Sequence, residues 1–171
     1  QFKAKFNIDI LEGYGLSEAS PVVAVNPLGK PKVGSIGKIL PGLNTKLVDD
    51  TGAEVPLGEI GELLVQGPTV MNGYYNLPEA TAKTIINGWL HTGDLAYKDA
   101  DDYYFIVDRL KDMIINNGEN IYPREIEELL YAYPGIIEAA VVGIDDPLRG
   151  QTAAAYIVMT EDSVFDKKKL K

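Results

Sequence analysis

Turn-forming residues divide the first half of this chain into short segments. Pro41-Gly42, residues 49–52 (DDTG) and residues 56–58 (PLG) are typical turn sequences, because proline fixes φ and glycine accepts positive φ. The segments between them are apolar, rich in β-branched residues, and too short for amphipathic helices. This pattern predicts a compact, largely antiparallel β unit.

The same pattern predicts the individual elements of the first half. A helix is expected over residues 78–86, because Pro78 occupies the permissive first position and Glu79 follows in the first turn. The predicted strands of this part are residues 21–25, 35–40, 45–49, 61–66 and 103–108.

The pattern changes after Asp108. A short strand is predicted over residues 111–116, ending in the turn Asn116-Asn117-Gly118, and a helix is predicted from Pro123. One apolar face of this helix is formed by residues at helical spacing, which are Ile126, Leu129, Leu130 and Tyr133.

Two more strands are predicted over residues 137–143 and 153–160, followed by a helix start at Asp166. Strand–helix–strand–strand is the beginning of an α+β unit whose last helix would be unfinished. We therefore predict the α+β fold class, with a boundary near residues 109–112. Residues 1–109 would form a β-rich, barrel-like subdomain of a large domain, and residues 110–171 the hinge and the incomplete small domain.

Composition excludes several classes of function. The chain has 171 residues, no cysteine and one histidine, His91, which excludes disulfide frameworks, thiolate chemistry and histidine-rich metal sites. Its net charge of -9 argues against a nucleic-acid partner, which requires a basic face. No apolar segment is long enough to span a membrane and no secretory signal is visible, so we expect a cytoplasmic protein.

The segment LEGYGLSEAS, residues 11–20, combines two glycines with a hydroxyl and a carboxylate. Gly13 and Gly15 indicate a tight turn, a bulge or a close approach of the backbone to another group. Backbone amides, the Ser17 hydroxyl and the Glu18 carboxylate could together bind a phosphate and its Mg²⁺. The alternative is an ordinary strand-to-loop turn with Glu18 exposed to solvent.

Two further segments carry polar groups with more than one interpretation. Asp94 ends the segment GWLHTGD, residues 88–94, where it could accept hydrogen bonds from ribose hydroxyls or bond its own backbone at the start of a loop. Arg109 and Lys111 lie in the charged run DRLKD, residues 108–112. That run is either a solvated connection or one wall of a cleft.

Taken in order, these segments resemble the adenylate-forming enzymes, which include acyl-CoA synthetases, aryl-CoA ligases, firefly luciferase and the adenylation domains of nonribosomal peptide synthetases. Within this superfamily, SEASPVV and KDMIINNGENIYPREIEELLY are most similar to long- or medium-chain fatty-acyl-CoA ligases. The four motifs that carry the resemblance are YGLSE (14–18), GELLVQGPTVMNGYYNLPEAT (61–81), WLHTGD (89–94) and DRLKDMIINNGENIYPREIE (108–127).

The resemblance implies a role for each residue of the first motif. Tyr14 would lie against the adenine ring, and Gly13 and Gly15 would let the backbone approach the nucleotide. Ser17, in the place of the family's usual threonine, would bond the phosphate. Glu18 would help to hold Mg²⁺.

The later motifs supply further roles by the same resemblance. Asp94 would bind the ribose hydroxyls of ATP or AMP, with Arg109 nearby. Lys111 matches the hinge about which the small domain turns between two half-reactions. Gly118 matches the loop that lines the pantetheine tunnel for coenzyme A. Some relatives carry lysine before that glycine, whereas this chain has Asn117, so no charge contact to coenzyme A is expected there.

The implied reaction has two steps. A small-molecule carboxylic acid reacts with ATP to give acyl-adenylate and pyrophosphate, and the thiol of coenzyme A then displaces AMP. The family's Gly/Ser/Thr-rich phosphate loop and terminal catalytic lysine have no counterpart in these residues, so we expect a piece of a ligase that is inactive alone. The alternatives are an aryl- or acetyl-CoA ligase and a non-catalytic nucleotide-binding module.

Overall fold

The computed structural model describes residues 5–161 and residue 163. The chain divides into two compact units, of which the first ends at Ile106 and the second begins at Val107. The helix start predicted at Asp166 lies outside the described residues. The assignment of the two units to a large and a small domain stays a prediction.

From residue 5 onwards, where the structure describes it, the first unit contains two open sheets. The smaller sheet has the order β1-β2-β3, and the larger has the order β4-β5-β7-β6, with β8 paired to β7. The strands are β1 (Gly13–Gly15), β2 (Val22–Val25), β3 (Lys38–Ile39), β4 (Asn44–Val48), β5 (Gly61–Gln66), β6 (Ile85–Ile86), β7 (Trp89–Lys98) and β8 (Tyr104–Arg109), the last of which crosses into the second unit. A 3-10 helix, Ser17–Ala19, follows β1, and helix α1, Pro78–Thr84, precedes β6.

Both sheets contribute to one apolar core. Leu63 and Val65 of β5, Leu90 of β7 and Val23 of β2 are completely buried in the same cluster as Ala19. Full burial of each Val or Leu side chain contributes about 1.5–3 kcal/mol. This core therefore holds β1 and β7 in fixed positions within the unit.

The predicted β-rich unit and the α+β class are confirmed, with differences in detail. The helix predicted to reach residue 86 ends at Thr84, because Ile85 and Ile86 are β-branched and pair with β7 instead. Strand β7 is not predicted from the sequence, since Gly93 and its polar neighbours interrupt the alternation that indicates a strand. The strand predicted over residues 35–40 shortens to β3.

In the part of the second unit that the structure describes, one helix accompanies a four-stranded sheet. Its elements are β9 (Ile114–Asn116), β10 (Glu119–Ile121), α2 (Pro123–Tyr131), β11 (Ile136–Asp146) and β12 (Gly150–Met159). The strand order is β10-β9-β12-β11. Within residues 5–161 and 163, no helix combines the length and apolarity that a membrane span requires.

Helix α2 packs on this sheet through Leu130, which forms a second core with Ile114 and Val141. The helix predicted from Pro123 is confirmed, but Leu129 is 68% exposed and lies outside its buried face. Strand β10 is a further element that the sequence does not predict.

The strand predicted over residues 111–116 begins only at Ile114. The backbone N–H groups of Asp112 and Met113 both bond the carbonyl oxygen of Arg109, which makes the preceding residues a turn. A residue whose N–H is used in such a turn cannot donate it to a strand partner, so the shorter strand follows.

Gly15 has a structural reason to be glycine. A Cβ placed there would lie 1.9 Å from the carbonyl oxygen of Pro21, which accepts the N–H of Leu16 at 2.8 Å. Glycine at position 15 therefore permits a close approach of the chain to itself, and the approach to a nucleotide stays a prediction.

We expect Gly15→Ala to lower the free energy of unfolding by about 2 kcal/mol or more, because the added methyl group would collide with the backbone. Gly13→Ala is the matched control, since its Cβ would meet its nearest atom, the Ala24 carbonyl oxygen, at 3.2 Å. Urea unfolding of both variants gives the comparison. Equal losses would show that the Pro21 contact does not determine the choice of glycine.

Candidate functional site

Tyr14 and Asp94 meet although they belong to different sheets of the first unit. Tyr14 lies in β1 and packs against the core, and its hydroxyl donates a hydrogen bond to Oδ2 of Asp94 at 2.5 Å. Asp94 is 5% exposed. Two residues 80 positions apart thus form one partly buried polar contact, which the sequence does not predict although it singles out both of them.

A bulge in β7 presents Asp94. The antiparallel pairing of β5 and β7 places Glu62 opposite Leu95 and Leu64 opposite His91. Between these pairs, three residues of β7 face a single residue of β5. Extra residues of this kind bend a strand and redirect side chains, and they are frequent beside active sites.

Glu62 bonds two residues of the bulged segment. Its Oε1 accepts a hydrogen bond from the backbone N–H of Gly93 at 3.0 Å, and its Oε2 lies 2.8 Å from Nδ1 of His91. Gly93 has a φ of 71°, in the left-handed region that favours glycine. Glu62 therefore provides an acceptor for a backbone group at the point where the ladder is interrupted.

Thr92 completes the hydrogen bonding of the bulge. Its hydroxyl donates to the carbonyl oxygen of Leu63 at 2.7 Å and accepts the backbone N–H of Asp94 at 3.1 Å. Thr92 is itself buried. The interpretation of Asp94 as the start of a loop is therefore wrong, since it lies inside a strand whose irregular part is held by side chains.

Glu18 is fixed by the segment that follows β5. Its carbonyl oxygen accepts the N–H of Met71 at 2.8 Å, and its Oε1 accepts the hydroxyl of Tyr74, also at 2.8 Å. The hydrogen bond to Glu18 and the burial of the ring raise the pKa of Tyr74, so the hydroxyl stays protonated and remains a donor at neutral pH. Ser17 is exposed beside Glu18.

The chemistry of Glu18 fits one ligand of Mg²⁺ and not a complete cage. Mg²⁺ in nucleotide sites is usually held by one or two carboxylates, with water and phosphate oxygens as the other ligands. Among residues 5–161 and 163, no group of three or more acidic or histidine side chains could hold a metal alone. A metal ion at Glu18 would therefore need the phosphates of a nucleotide.

Asp108 stabilises the start of α2 within the second unit. Its Oδ2 accepts the backbone N–H of Arg124 at 3.0 Å, and its Oδ1 accepts the N–H of Arg109 at 2.7 Å. The N-cap residue of α2, Tyr122, makes no side-chain capping bond, so Asp108 supplies the acceptor that a helix N-terminus requires. Arg109 is exposed at the end of β8.

Lys111 and Gly118 lie in turns of the second unit. Lys111 is exposed and lines a cavity of about 420 Å³ together with Glu127 and Gln151. Gly118 follows Asn117 in the two-residue connection between β9 and β10, and both have positive φ, as a type I′ hairpin requires. The predicted turn is confirmed, and the hinge and tunnel roles stay predictions.

Two family models match the chain in the order that the resemblance predicts. The model of the AMP-binding enzyme family matches residues 1–75, and the model of the AMP-binding enzyme C-terminal domain matches residues 125–171. Together the matches cover more than half of the chain. The chain therefore belongs to the family of adenylate-forming, AMP-binding enzymes.

Individual relatives agree with this membership. The chain is 46% identical to a long-chain-fatty-acid–CoA ligase of Bacillus subtilis, over 94% of this chain and 29% of that protein. It is also 46% identical to a feruloyl-CoA synthase of Amycolatopsis sp., over 94% of this chain and 33% of that protein. The structure of ATP-bound MatB from Rhodopseudomonas palustris has a TM-score of 0.90 and 36% identity, covering 99% of this chain and 34% of that one. The chain thus spans about a third of the length of these relatives.

The sequence patterns do not single out two residues that contact the site. Glu62 is an acidic residue inside the apolar strand sequence GELLVQ, and this break in polarity is the signal that could have singled it out. Tyr74 gives no such signal, because its contact with Glu18 depends on the path of the loop after β5.

Proposed function

We propose that this chain is part of a cytoplasmic, ATP-dependent ligase that joins a fatty acid to coenzyme A. In the first half-reaction the carboxylate attacks the α-phosphorus of ATP, which gives acyl-adenylate and releases pyrophosphate. In the second, the sulfur of coenzyme A attacks the acyl carbon, loses its proton, and AMP leaves. The longer enzyme is the catalyst, and the 171-residue chain alone is expected to be inactive.

The contact between Tyr14 and Asp94 is the observation that carries this proposal. Adenine and ribose are joined directly, so a ring that packs on the base and a carboxylate that binds the sugar must be neighbours, as these two residues are. Asp94 is buried, where a hydrogen bond to a charged group is stronger than in water. Its Oδ2 accepts the hydroxyl of Tyr14, which holds the carboxylate beside the aromatic ring.

Ser17 and Glu18 extend the proposed nucleotide site towards the phosphates. They follow β1 in the 3-10 helix, two and three residues after Gly15. The exposed Ser17 hydroxyl would donate to a phosphate oxygen, while the Glu18 carboxylate, oriented by Tyr74, would hold Mg²⁺ or its water shell. Mg²⁺ in such a site neutralises phosphate charge, which together with positioning supplies most of the catalysis.

The second unit would serve the second half-reaction. Lys111 would be the hinge residue and Gly118 part of the wall along the pantetheine arm of coenzyme A. The turn at residues 109–113 supports a hinge, because Lys111 is exposed and lies outside the regular strands. Arg109, at the end of β8, would contribute to nucleotide binding, as the resemblance implies.

The fatty-acid substrate rests on the likeness of SEASPVV and KDMIINNGENIYPREIEELLY to fatty-acyl-CoA ligases. An aryl-CoA ligase is the second candidate, because the feruloyl-CoA synthase and the fatty-acid ligase are equally identical to the chain.

We expect the full-length enzyme to have a higher kcat/KM for long- or medium-chain fatty acids than for ferulate or acetate. A panel of these acids with ATP and coenzyme A tests this, and a preference for ferulate would favour the aryl-CoA ligase.

Asp94→Ala in the full-length enzyme should weaken AMP binding roughly ten- to a hundred-fold, because the ribose loses a charged acceptor. Calorimetric titration with AMP measures the affinity. Asp50→Ala is the matched control, since Asp50 is exposed in the turn of residues 49–52 and should leave the affinity unchanged. An unaltered AMP affinity in Asp94→Ala would contradict the ribose-binding role of Asp94 and, with it, the proposed nucleotide site.

Lys111→Pro should separate the two half-reactions in the full-length enzyme. Proline fixes φ near about −65°, so a hinge at this position could no longer change its backbone angles. We expect pyrophosphate exchange to persist and thioester formation from preformed acyl-AMP to be largely lost. Lys111→Ala, which removes the same side chain but leaves the backbone free, should retain both steps. Equal losses of both steps in the proline variant would contradict the hinge.

A further inference from the structure

The bulge before Asp94 is held by side chains that have no assigned role in nucleotide binding. Because three residues of β7 face one residue of β5, the regular ladder cannot pair every backbone group in this stretch. A buried backbone group without a hydrogen-bond partner destabilises the folded protein. The side chains that bond these groups therefore determine whether the bulge keeps its shape.

Glu62 and Thr92 hold the bulge on the two sides of Gly93. Glu62 accepts the Gly93 N–H at 3.0 Å, and Thr92 accepts the next N–H, that of Asp94, at 3.1 Å. Thr92 also donates to the Leu63 carbonyl at 2.7 Å, which ties the bulge to the buried part of β5. Both N–H groups that lead into Asp94 are therefore fixed by side-chain oxygens.

This arrangement sets the backbone from which the Asp94 carboxylate extends. The backbone N–H of Asp94 bonds Thr92 and the side-chain Oδ2 of Asp94 bonds Tyr14. Hydrogen bonds at both ends of the residue therefore define its position. A shift of about 1 Å in a positioned group is enough to change catalysis greatly. The backbone contacts of Glu62 and Thr92 therefore affect the position of the carboxylate that would bind the ribose.

Glu62 is a carboxylate largely shielded from solvent, where a charged group is costly unless it is bonded. Its side chain is only 14% exposed, and it bonds the residue directly before the buried carboxylate of Asp94. Both of its oxygens are used, one by the Gly93 N–H and the other by Nδ1 of His91.

We propose that Glu62 and Thr92 are positioning residues that aim Asp94 at the ribose of the nucleotide. This inference rests on the proposed function, in which Asp94 binds the ribose hydroxyls. Neither residue touches the nucleotide itself. Their effect reaches it through the Gly93 and Asp94 peptide groups.

The test compares AMP with 2′,3′-dideoxy-AMP, which lacks the hydroxyls that Asp94 would bind. Calorimetry on the full-length enzyme gives the ratio of the two affinities. Glu62→Ala should reduce this preference for AMP at least about fivefold, whereas Glu62→Gln, which keeps an acceptor oxygen for Gly93, should retain it within about twofold. Glu59→Ala, at an exposed glutamate in the turn before β5, is the matched control and should have no effect.

A pair of variants at Thr92 gives an independent test of the positioning role if Glu62→Ala does not fold. Thr92→Ser keeps the hydroxyl and should retain the preference for AMP. Thr92→Val has the same shape but loses the hydroxyl, and should reduce the preference at least about fivefold. Combining each damaging variant with Asp94→Ala should give no further loss of AMP affinity, because all of them act through Asp94.

The outcomes separate this inference from the proposed function. If Asp94→Ala abolishes the preference for AMP while Glu62→Ala and Thr92→Val leave it intact, the nucleotide site stands and the positioning role is overturned. Additive losses in the double variants would overturn it as well, since they would indicate a general loss of stability. If Asp94→Ala itself leaves the preference unchanged, the proposed ribose contact fails and the inference fails with it.

Discussion

The pairing of β5 with β7 is the contact on which the first unit depends. Leu63 and Val65 on one strand and Leu90 on the other are completely buried, and the core they form extends to both sheets. The ladder is regular on either side of the bulge, so the strands stay aligned although extra residues are inserted between them. A rigid frame of this kind can present an irregular polar segment at a defined place.

The polar groups within that frame are satisfied by one another. Thr92 and Asp94 are both buried, and the bonds from Thr92, Glu62 and Tyr14 supply partners for the backbone and side chain around Asp94. A buried polar network is stable only when its members are bonded, and a satisfied network also fixes the orientation of each member. The site is therefore built from the same contacts that allow a carboxylate to lie in an apolar core.

The second unit combines a hairpin that forms locally with a helix that depends on a distant residue. The hairpin at Asn117-Gly118 requires only positive φ at two adjacent residues, which Asn-Gly provides locally. Helix α2, in contrast, has its N-terminal acceptor supplied by Asp108, which lies 16 residues before Arg124. The charged run at residues 108–112 is therefore partly structural, since its first residue stabilises a helix.

Local sequence patterns are sufficient for much of the fold. Strand β5, the Asn-Gly turn and the helix beginning at Pro123 follow from polarity, turn chemistry and the proline at the first helical position, and the structure has them where they are predicted. Tyr14 and Asp94 are likewise singled out by their motifs. The family follows from those motifs too, because their order along the chain is itself specific.

The tertiary structure alone decided how these residues meet. Strand β7, the bulge at residues 92–94 and the contacts of Glu62 with Gly93 and of Tyr74 with Glu18 depend on pairing between segments distant in the chain. Local propensities cannot specify that register. A glycine between polar residues favours a loop by itself, and it is the pairing with the buried strand β5 that makes this segment a strand. The sequence thus determined the candidate residues, while long-range packing determined their partners and directions.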